Sequence, residues 1–371
     1  MITMRLPKKL GCTAVAIGGD LKCRPAVASG DEVAVFDEIG DLASPENQDA
    51  LEAFLDSQAP GLLVSDLHPA YFSSNLAARI AAEKGIPVVR VQHHRAHVAA
   101  VCVEHGLFDE AVVGLAFDGT GYGDDGTVWG GEFFVGSLAS GFERRAHFAL
   151  LPLPGGDAAV REPWRIALAL LIERGVERGL IRGWLERHGV PLSDLALFER
   201  WLKTGTAVGR SSALGRWFDA ASALLGIRLV AEFEAQPAIE LQKAAEQYEG
   251  SSPPRGWTYE IERSGGLMTI DFPKLDRIAG CKPDEVSMLA AAFHRAVADA
   301  VARVVGELSK KTGASTVVAS GGCFLNALLD RLLTERFDNL GMRYVKPKRL
   351  PPGDQAIALG QIGLLLSQGT C

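Results

Sequence analysis

Three of the chain's eight histidines fall within five residues, in Gln92-His93-His94-Arg95-Ala96-His97. This segment follows an apolar run at 86–91 and opens a stretch of helical spacing, so it lies where a strand gives way to a helix. His93 and His97 are four residues apart, which on a helix puts both imidazoles on one face, about 5–6 Å apart at Cβ. Two ring nitrogens at that spacing can share a metal ion. Solvated histidines at a helix start are the plain alternative. A second candidate is Phe117-Asp118-Gly119-Thr120-Gly121-Tyr122-Gly123-Asp124-Asp125-Gly126. A carboxylate ending an apolar strand, followed by glycines whose N–H groups can approach a ligand, suits a metal-bridged phosphate. A hairpin turn has the same composition.

Three further segments belong to this inventory. Ser320-Gly321-Gly322-Cys323-Phe324-Leu325-Asn326 reads as a strand, a glycine pair and a helix start, which aims helix N–H groups at an anion and places Asn326 one turn into the helix, within reach of a base or ribose edge. A close strand-to-helix turn would look the same. Asp354, in Pro352-Gly353-Asp354-Gln355, is placed as an N-cap. It could equally add a second carboxylate to a metal held by His93, His97 and Asp118, and such a mixed shell suits Zn or Fe more than Ca or Mg. Gly215, Arg216 and Asp219 lie within five residues and could bind a ribose or phosphate, although a helix joint is the commoner meaning.

The elements that must carry these residues follow from periodicity. Strands are expected at 13–17 and 26–36, the latter around a turn at Ser29-Gly30-Asp31, so that a β-meander starts the fold. Helices at 45–58, 71–84 and 93–104 then alternate with strands at 61–65 and 86–91. The order begins again with strands at 111–117 and 131–137. Residues 164–241 read as almost wholly helical, and 257–270 return to strand-like alternation. A long amphipathic helix at 287–308, a strand at 315–319 and helices at 324–336 and 355–366 complete the chain. Two βββαβα-like units with a helical insertion result, an α/β fold of mixed sheets flanked by helices. The lobes are expected at 1–108 and 109–371, with the insertion at about 160–250.

Composition bounds the function. With 371 residues the chain is long enough for two lobes. Its 38 basic and 45 acidic residues, net −7, argue against a general nucleic-acid binder. The six cysteines form no C-x-x-C pair, and no apolar run approaches a membrane span, so a reduced cytoplasmic setting without membrane contact is expected. The 41 glycines exceed ordinary usage and imply many turns or close backbone approaches.

Taken in series, Ala16-Ile17-Gly18-Gly19-Asp20-Leu21-Lys22, the 65–71 segment SDLHPAY, VQHHRAHVAA at 91–100, FDGTGYGDDGTVWGGE at 117–132, EPWR at 162–165, SSALGRWFDA at 211–220, SGGCFLN at 320–326 and PGDQAIALGQ at 352–361 resemble the C-terminal, Kae-type domain of the HypF family of hydrogenase-maturation carbamoyltransferases. The resemblance implies an actin and sugar-kinase type fold (ASKHA), two lobes with a nucleotide in the cleft. It implies His93, His97, Asp118 and Asp354 as ligands of a divalent metal, Zn or Fe, with Mg accompanying ATP. It places Gly18, Gly19, Gly119 and Gly121 near phosphate, Lys22 and Thr120 as phosphate-side catalytic residues, and Gly215, Asp219, Gly321, Gly322 and Asn326 near the nucleoside.

The implied reaction starts from carbamoyl phosphate and ATP, passes through carbamoyl-adenylate, and delivers the carbamoyl group to the C-terminal cysteine of a HypE-type partner, whose thiocarboxamide later becomes cyanide on the hydrogenase iron. Small-molecule O-carbamoylation and a non-catalytic nucleotide-binding scaffold are the alternatives, and a homodimer is left open. Longer members carry acylphosphatase, zinc-finger and YrdC-like domains that have no counterpart here, which leaves adenylate formation without its domain. Residues 1–10 read as an interdomain remnant. Cys323 reads as a small core residue, because the attacking thiolate is expected from the partner.

Overall fold

The computed structural model describes residues 1–250 and 252–368, so Cys371 lies outside the described residues. In chain order the strands are β1 (Ile2–Ala16), β2 (Ala26–Val35), β3 (Leu62–Asp66), β4 (Val88–Val91), β5 (Val112–Phe117), β6 (Gly131–Ser137), β7 (Gly141–Phe148), β8 (Leu151–Pro154), β9 (Val208–Ser211), β10 (Glu260–Ser264), β11 (Leu267–Asp271), β12 (Thr316–Ser320) and β13 (Arg343–Val345). The helices are α1 (Pro45–Ser57), α2 (Phe72–Lys84), α3 (His93–His105), α4 (Asp157–Arg161), α5 (Trp164–Glu173), α6 (Arg178–Arg187), α7 (Ser193–Thr204), α8 (Leu214–Leu224), α9 (Gln236–Glu246), α10 (Asp276–Ala279), α11 (Val286–Thr312), α12 (Ala327–Asn339) and α13 (Ile357–Gln368). None of these helices is long and apolar enough to cross a membrane.

Two mixed sheets result. The first has the order β2-β1-β3-β4, an antiparallel hairpin extended by two parallel strands. The second has the order β10-β11-β7-β6-β5-β12-β13, with β5, β6 and β7 antiparallel and β12 and β13 parallel to β5. Alternation along the strands divides the core. On β1, Val15 and Ile17 face α1 and α2, where Leu51, Leu55, Leu76 and Ile80 are buried, while Ala14 and Ala16 face α3 and α13. On β5, Val112 and Ala116 face that same middle pair of helices, while Val113, Leu115 and Phe117 face the helical block and α11. The layers therefore run helix, sheet, helix, sheet, helix, and period-two alternation in both sheets is what permits it.

Three expectations change. Residues 2–10 are not a remnant, because β1 begins at Ile2 and pairs with β2 from Ile2 opposite Val35. The expected turn at Ser29-Gly30-Asp31 lies instead inside β2, which runs on through it with Gly30 at φ +60°, while the extra residues of the two register shifts beside it lie on β1. The helical block is interrupted by β9, which pairs with β8. The helix α13 packs with α3 and the first sheet. Gln361 on α13 both accepts from Gly18 N–H at 2.9 Å and donates to Gly18 carbonyl at 3.2 Å, tying the last helix to the end of β1.

The middle layer is tight where α3 and α13 cross. A methyl at Gly360 would collide with the Ala96 carbonyl and one at Gly114 would come 2.6 Å from Val98. Gly360→Ala is expected to pry the two helices apart at a cost of about 3 kcal/mol, the upper end of overpacking, measurable as a lowered urea midpoint with unchanged slope.

Candidate metal and nucleotide site

The four sheet and helix ends that meet at the middle layer carry the candidate ligands. β3 and β4 are parallel neighbours, with Asp66 opposite Val91, so His93 rises two residues beyond the end of β4 directly beside Asp66. Gln92 starts α3 by accepting from Arg95 N–H at 2.9 Å, which fixes the first turn bearing His93. Asp118 follows the last residue of β5. Asp354 opens a short 3-10 turn that leads into α13, with no side-chain cap at that start.

The result is one cluster. One ligand atom from each of His93, His97, Asp118 and Asp354 lies within 4.8 Å of the others. His97 Nε2 is 3.2 Å from Asp118 Oδ2 and 3.6 Å from Asp354 Oδ1, and His93 Nε2 is 3.8 and 3.7 Å from the same two oxygens. His93 Nδ1 meets Asp66 Oδ2 at 2.7 Å, and His97 Nδ1 meets Ser320 Oγ at 3.2 Å. Each imidazole is thus oriented through Nδ1, with Nε2 facing the carboxylates, as metal-binding histidines are commonly held. His93 Nε2 is buried and has no hydrogen-bond partner, which is the atom a metal would occupy. Two imidazoles and two carboxylates at this spacing fit Zn or Fe.

Electrostatics are consistent with that geometry. Burial opposes protonation of His93, yet Asp66, Asp118 and Asp354 lift its pKa well above the ordinary histidine value. Burial also opposes ionisation of Asp118, but the neighbouring His93 and His97 hold it well below the usual carboxylate range. His94, between the two ligands, is pulled well below its ordinary value by burial and by its charged neighbours.

The glycines surround the cluster. A methyl at Gly19 would lie 3.8 Å from His93 Cε1 and 4.0 Å from Asp354 Oδ2, and one at Gly121 would collide with His94. Gly119 N–H donates to Asp118 Oδ1 at 2.8 Å and Gly322 N–H to the same oxygen at 3.3 Å. Gly321, at φ +110°, passes so close to the Phe117 carbonyl that no side chain fits. A methyl on Gly215 would lie 2.9 Å from Gly119 Cα, which brings the start of α8 against the same loop. Thr120 is exposed on that loop. Lys22 takes φ +49°, and its Nζ bridges to Glu234 at 3.1 Å; burial opposes its charge, while Glu234, Asp354 and Asp118 raise its pKa.

One nucleoside-side residue sits differently from the expectation. Asn326 is the N-cap of α12, not a residue within the helix, because a 3-10 turn at Gly322–Leu325 intervenes. Its Oδ1 accepts from Leu329 N–H at 2.9 Å and its Nδ2 donates to His294 Nε2 at 3.0 Å, so α12 is capped by its own chain. Asp219 is buried, with Oδ2 2.8 Å from Arg216, and burial pushes its pKa up to about 6. The D-G-T-G segment is not a hairpin turn; it opens the β5–β6 connection, whose turn is closed at Gly123 and Thr127.

Asp66, Ser320 and Gln92 were not singled out from the sequence. Asp66 carried a signal, since it ends the buried strand Leu62–Asp66 next to the strand leading to His93.

The comparisons agree with this architecture. The family model described as the HypF Kae1-like domain matches residues 10–104, and that described as the carbamoyltransferase, Kae1-like domain, second subdomain, matches 114–361. The class is therefore that of Kae1-like carbamoyltransferase domains. The chain belongs to the HypF family. It is 39% identical to carbamoyltransferase HypF2 of Cupriavidus necator, over 96% of this chain and 47% of that protein. It is 38% identical to a carbamoyltransferase HypF homolog from the same organism, over 96% of this chain and 92% of the relative. The chain thus spans about half the length of some curated relatives and nearly all of another. A crystal structure of full-length HypF in the phosphate- and nucleotide-bound form aligns with TM-score 0.88 and 30% identity, over 100% of this chain and 57% of that one. The structure of T. kodakarensis HypF aligns at TM-score 0.84 and 27% identity, over 99% and 49%.

Two outcomes follow from the geometry. Elemental analysis after dialysis is expected to find a metal in the wild type that is lost in His93→Ala and Asp354→Ala, and Asp66→Asn is expected to weaken metal affinity about 10- to 100-fold. Unchanged metal content in the first two variants would exclude the four-ligand site. Separately, burial holds His294 down to about 4, with Nδ1 donating to the Ala290 carbonyl and Nε2 accepting from Asn326. The unfolded chain takes that proton first, so this stability is present above about pH 6.5 and lost as pH falls towards 4. The loss is expected to reach roughly 3 kcal/mol, read as the difference between wild type and His294→Gln in urea titrations across that window.

Proposed function

We propose that this chain transfers a carbamoyl group from carbamoyl-adenylate to the C-terminal cysteine thiol of a HypE-type maturation protein, releasing AMP. A sulfur–carbon bond forms, the bond from the carbamoyl carbon to the phosphate oxygen breaks, and the thiol gives up its proton. One observation carries the reading: His93, His97, Asp118 and Asp354 converge where Gly19, Gly119 and Gly322 bare their backbones. Bare backbone lets a phosphate approach closely, and a cluster of metal-ligating groups beside it matches an anionic leaving group. A divalent metal held by these four side chains would supply neutralising charge for the leaving phosphate.

The protein's own residues define the rest. Gly119, Thr120 and Gly121 would orient the phosphate, and Lys22 faces it from the first lobe. Asp219 and the Gly215 turn lie on the nucleoside side. Within the chain the buried thiols are poor nucleophiles: burial pushes Cys23 up to about 12 and drives Cys102 and Cys323 upward as well. The attacking sulfur therefore comes from the partner. The adenylate itself derives from carbamoyl phosphate and ATP, with Mg accompanying the ATP. The partner chemistry belongs to hydrogenase maturation in a cytoplasmic setting.

Incubating the purified chain with a HypE-type partner and preformed carbamoyl-adenylate is expected to add one carbamoyl group to the partner's C-terminal cysteine, read by intact mass, with matching release of AMP. Carbamoyl phosphate alone, without ATP, is expected to give no product. An unmodified partner in the first experiment would reject the transferase reading and favour a scaffold.

A further inference from the structure

Arg216 is 9% exposed in the first turn of α8, and its Nε is buried without a hydrogen-bond partner. Its Nη2 lies 2.8 Å from Asp219 Oδ2. A methyl built at Gly119 would come 3.5 Å from that same Nη2. The guanidinium therefore occupies the space between α8 and the first glycine of Asp118-Gly119-Thr120-Gly121. Backbone contacts fix this relation: Gly215 N–H donates to the Asp118 carbonyl at 3.1 Å and Leu214 N–H to the Gly130 carbonyl at 3.0 Å. Arg216 is held in register with the loop by its own helix.

Charge and valence point the same way. Asp118, Asp354 and Asp219 make this wall of the cleft acidic, and an anionic ligand entering beside them needs a compensating cation. Lys22 already bridges to Glu234. A guanidinium has five donors in a planar fork suited to phosphate, more than a single contact to Asp219 uses. Burial also strengthens any hydrogen bond it makes and leaves an unmet donor costly.

We propose that Arg216 is a phosphate-binding residue, its guanidinium donating to a non-bridging oxygen of a nucleoside monophosphate at the Gly119 loop, with Asp219 holding the fork in position. The assignment rests on the nucleotide reading above. Its test is the ratio of AMP to adenosine affinity by calorimetry, at matched metal content, for wild type, Arg216→Met, Asp219→Asn and the pair Arg216→Met with Asp219→Asn. The wild type is expected to favour AMP, and that preference to fall about 10- to 100-fold in both variants lacking Arg216 and by less in Asp219→Asn, which loosens the fork without removing its charge. Should Arg216→Met fail to fold around an unpaired Asp219, the double variant carries the comparison. A preference unchanged in the double variant would overturn the assignment alone, making Arg216 only the counter-ion of Asp219. A wild type that binds neither ligand would overturn the nucleotide reading and this assignment with it.

Discussion

Two imidazoles and two carboxylates have been taken out of water and set within a few ångströms of one another, and the rest of the molecule is arranged to make that tolerable. Buried charge is destabilising unless each group keeps partners. Here Asp66 and Ser320 hold the outer nitrogens of His93 and His97, and the N–H groups of Gly119 and Gly322 hold the outer oxygen of Asp118. Supplying those partners requires four chain ends at one point, and that requires glycine where strand meets strand. Gly321 against Phe117 and Gly215 against Gly119 are consequences of the cluster more than of the sheets.

The second sheet extends this support outward. The buried carboxylate of Glu132 accepts from Gly130 and Gly131 N–H, from Ser212 Oγ and from Arg144, whose guanidinium lies 3.9 Å over the Trp129 ring. Asp125 then ties Trp129 and Arg144 to the turn of the same connection. The loop bearing Asp118 and Gly119 is consequently anchored at its far end to both β7 and the approach to α8. Rigid surroundings of this kind keep side chains within the small tolerances that transfer chemistry demands.

What the sequence made legible was whatever depends on near neighbours. The i,i+4 pair His93 and His97, Asp118 at the end of an apolar strand, and most helices and strands follow from local spacing. Asp66 was hidden because its role depends on which strand lies beside β4, and register between strands is not written in either one. Asn326 was misplaced because a 3-10 turn shifted the helix start, although an asparagine three residues before Leu329 is a cap pattern in its own right. Gly30 resembled a turn because a positive φ inside a strand and a turn ask the same thing of glycine. The membership of α13 in the middle layer was hidden for a different reason: its apolar sequence fits any buried layer, and only the Gly360 contact and the Gln361 bond to Gly18 select this one.

The position of Asp354 along the chain has a consequence for how the molecule comes into being. Every strand of both sheets precedes it, and α13 follows it directly. During synthesis His93, His97 and Asp118 are therefore made long before their fourth companion, and the segment that brings it back runs through β6 to β13. Closing so long a loop is costly in entropy until α13 has settled against α3. The nascent chain thus holds at most a partial set of ligands, and completion of the cluster coincides with docking of the last helix. Capture of a metal ion would then report that α13 had docked against α3.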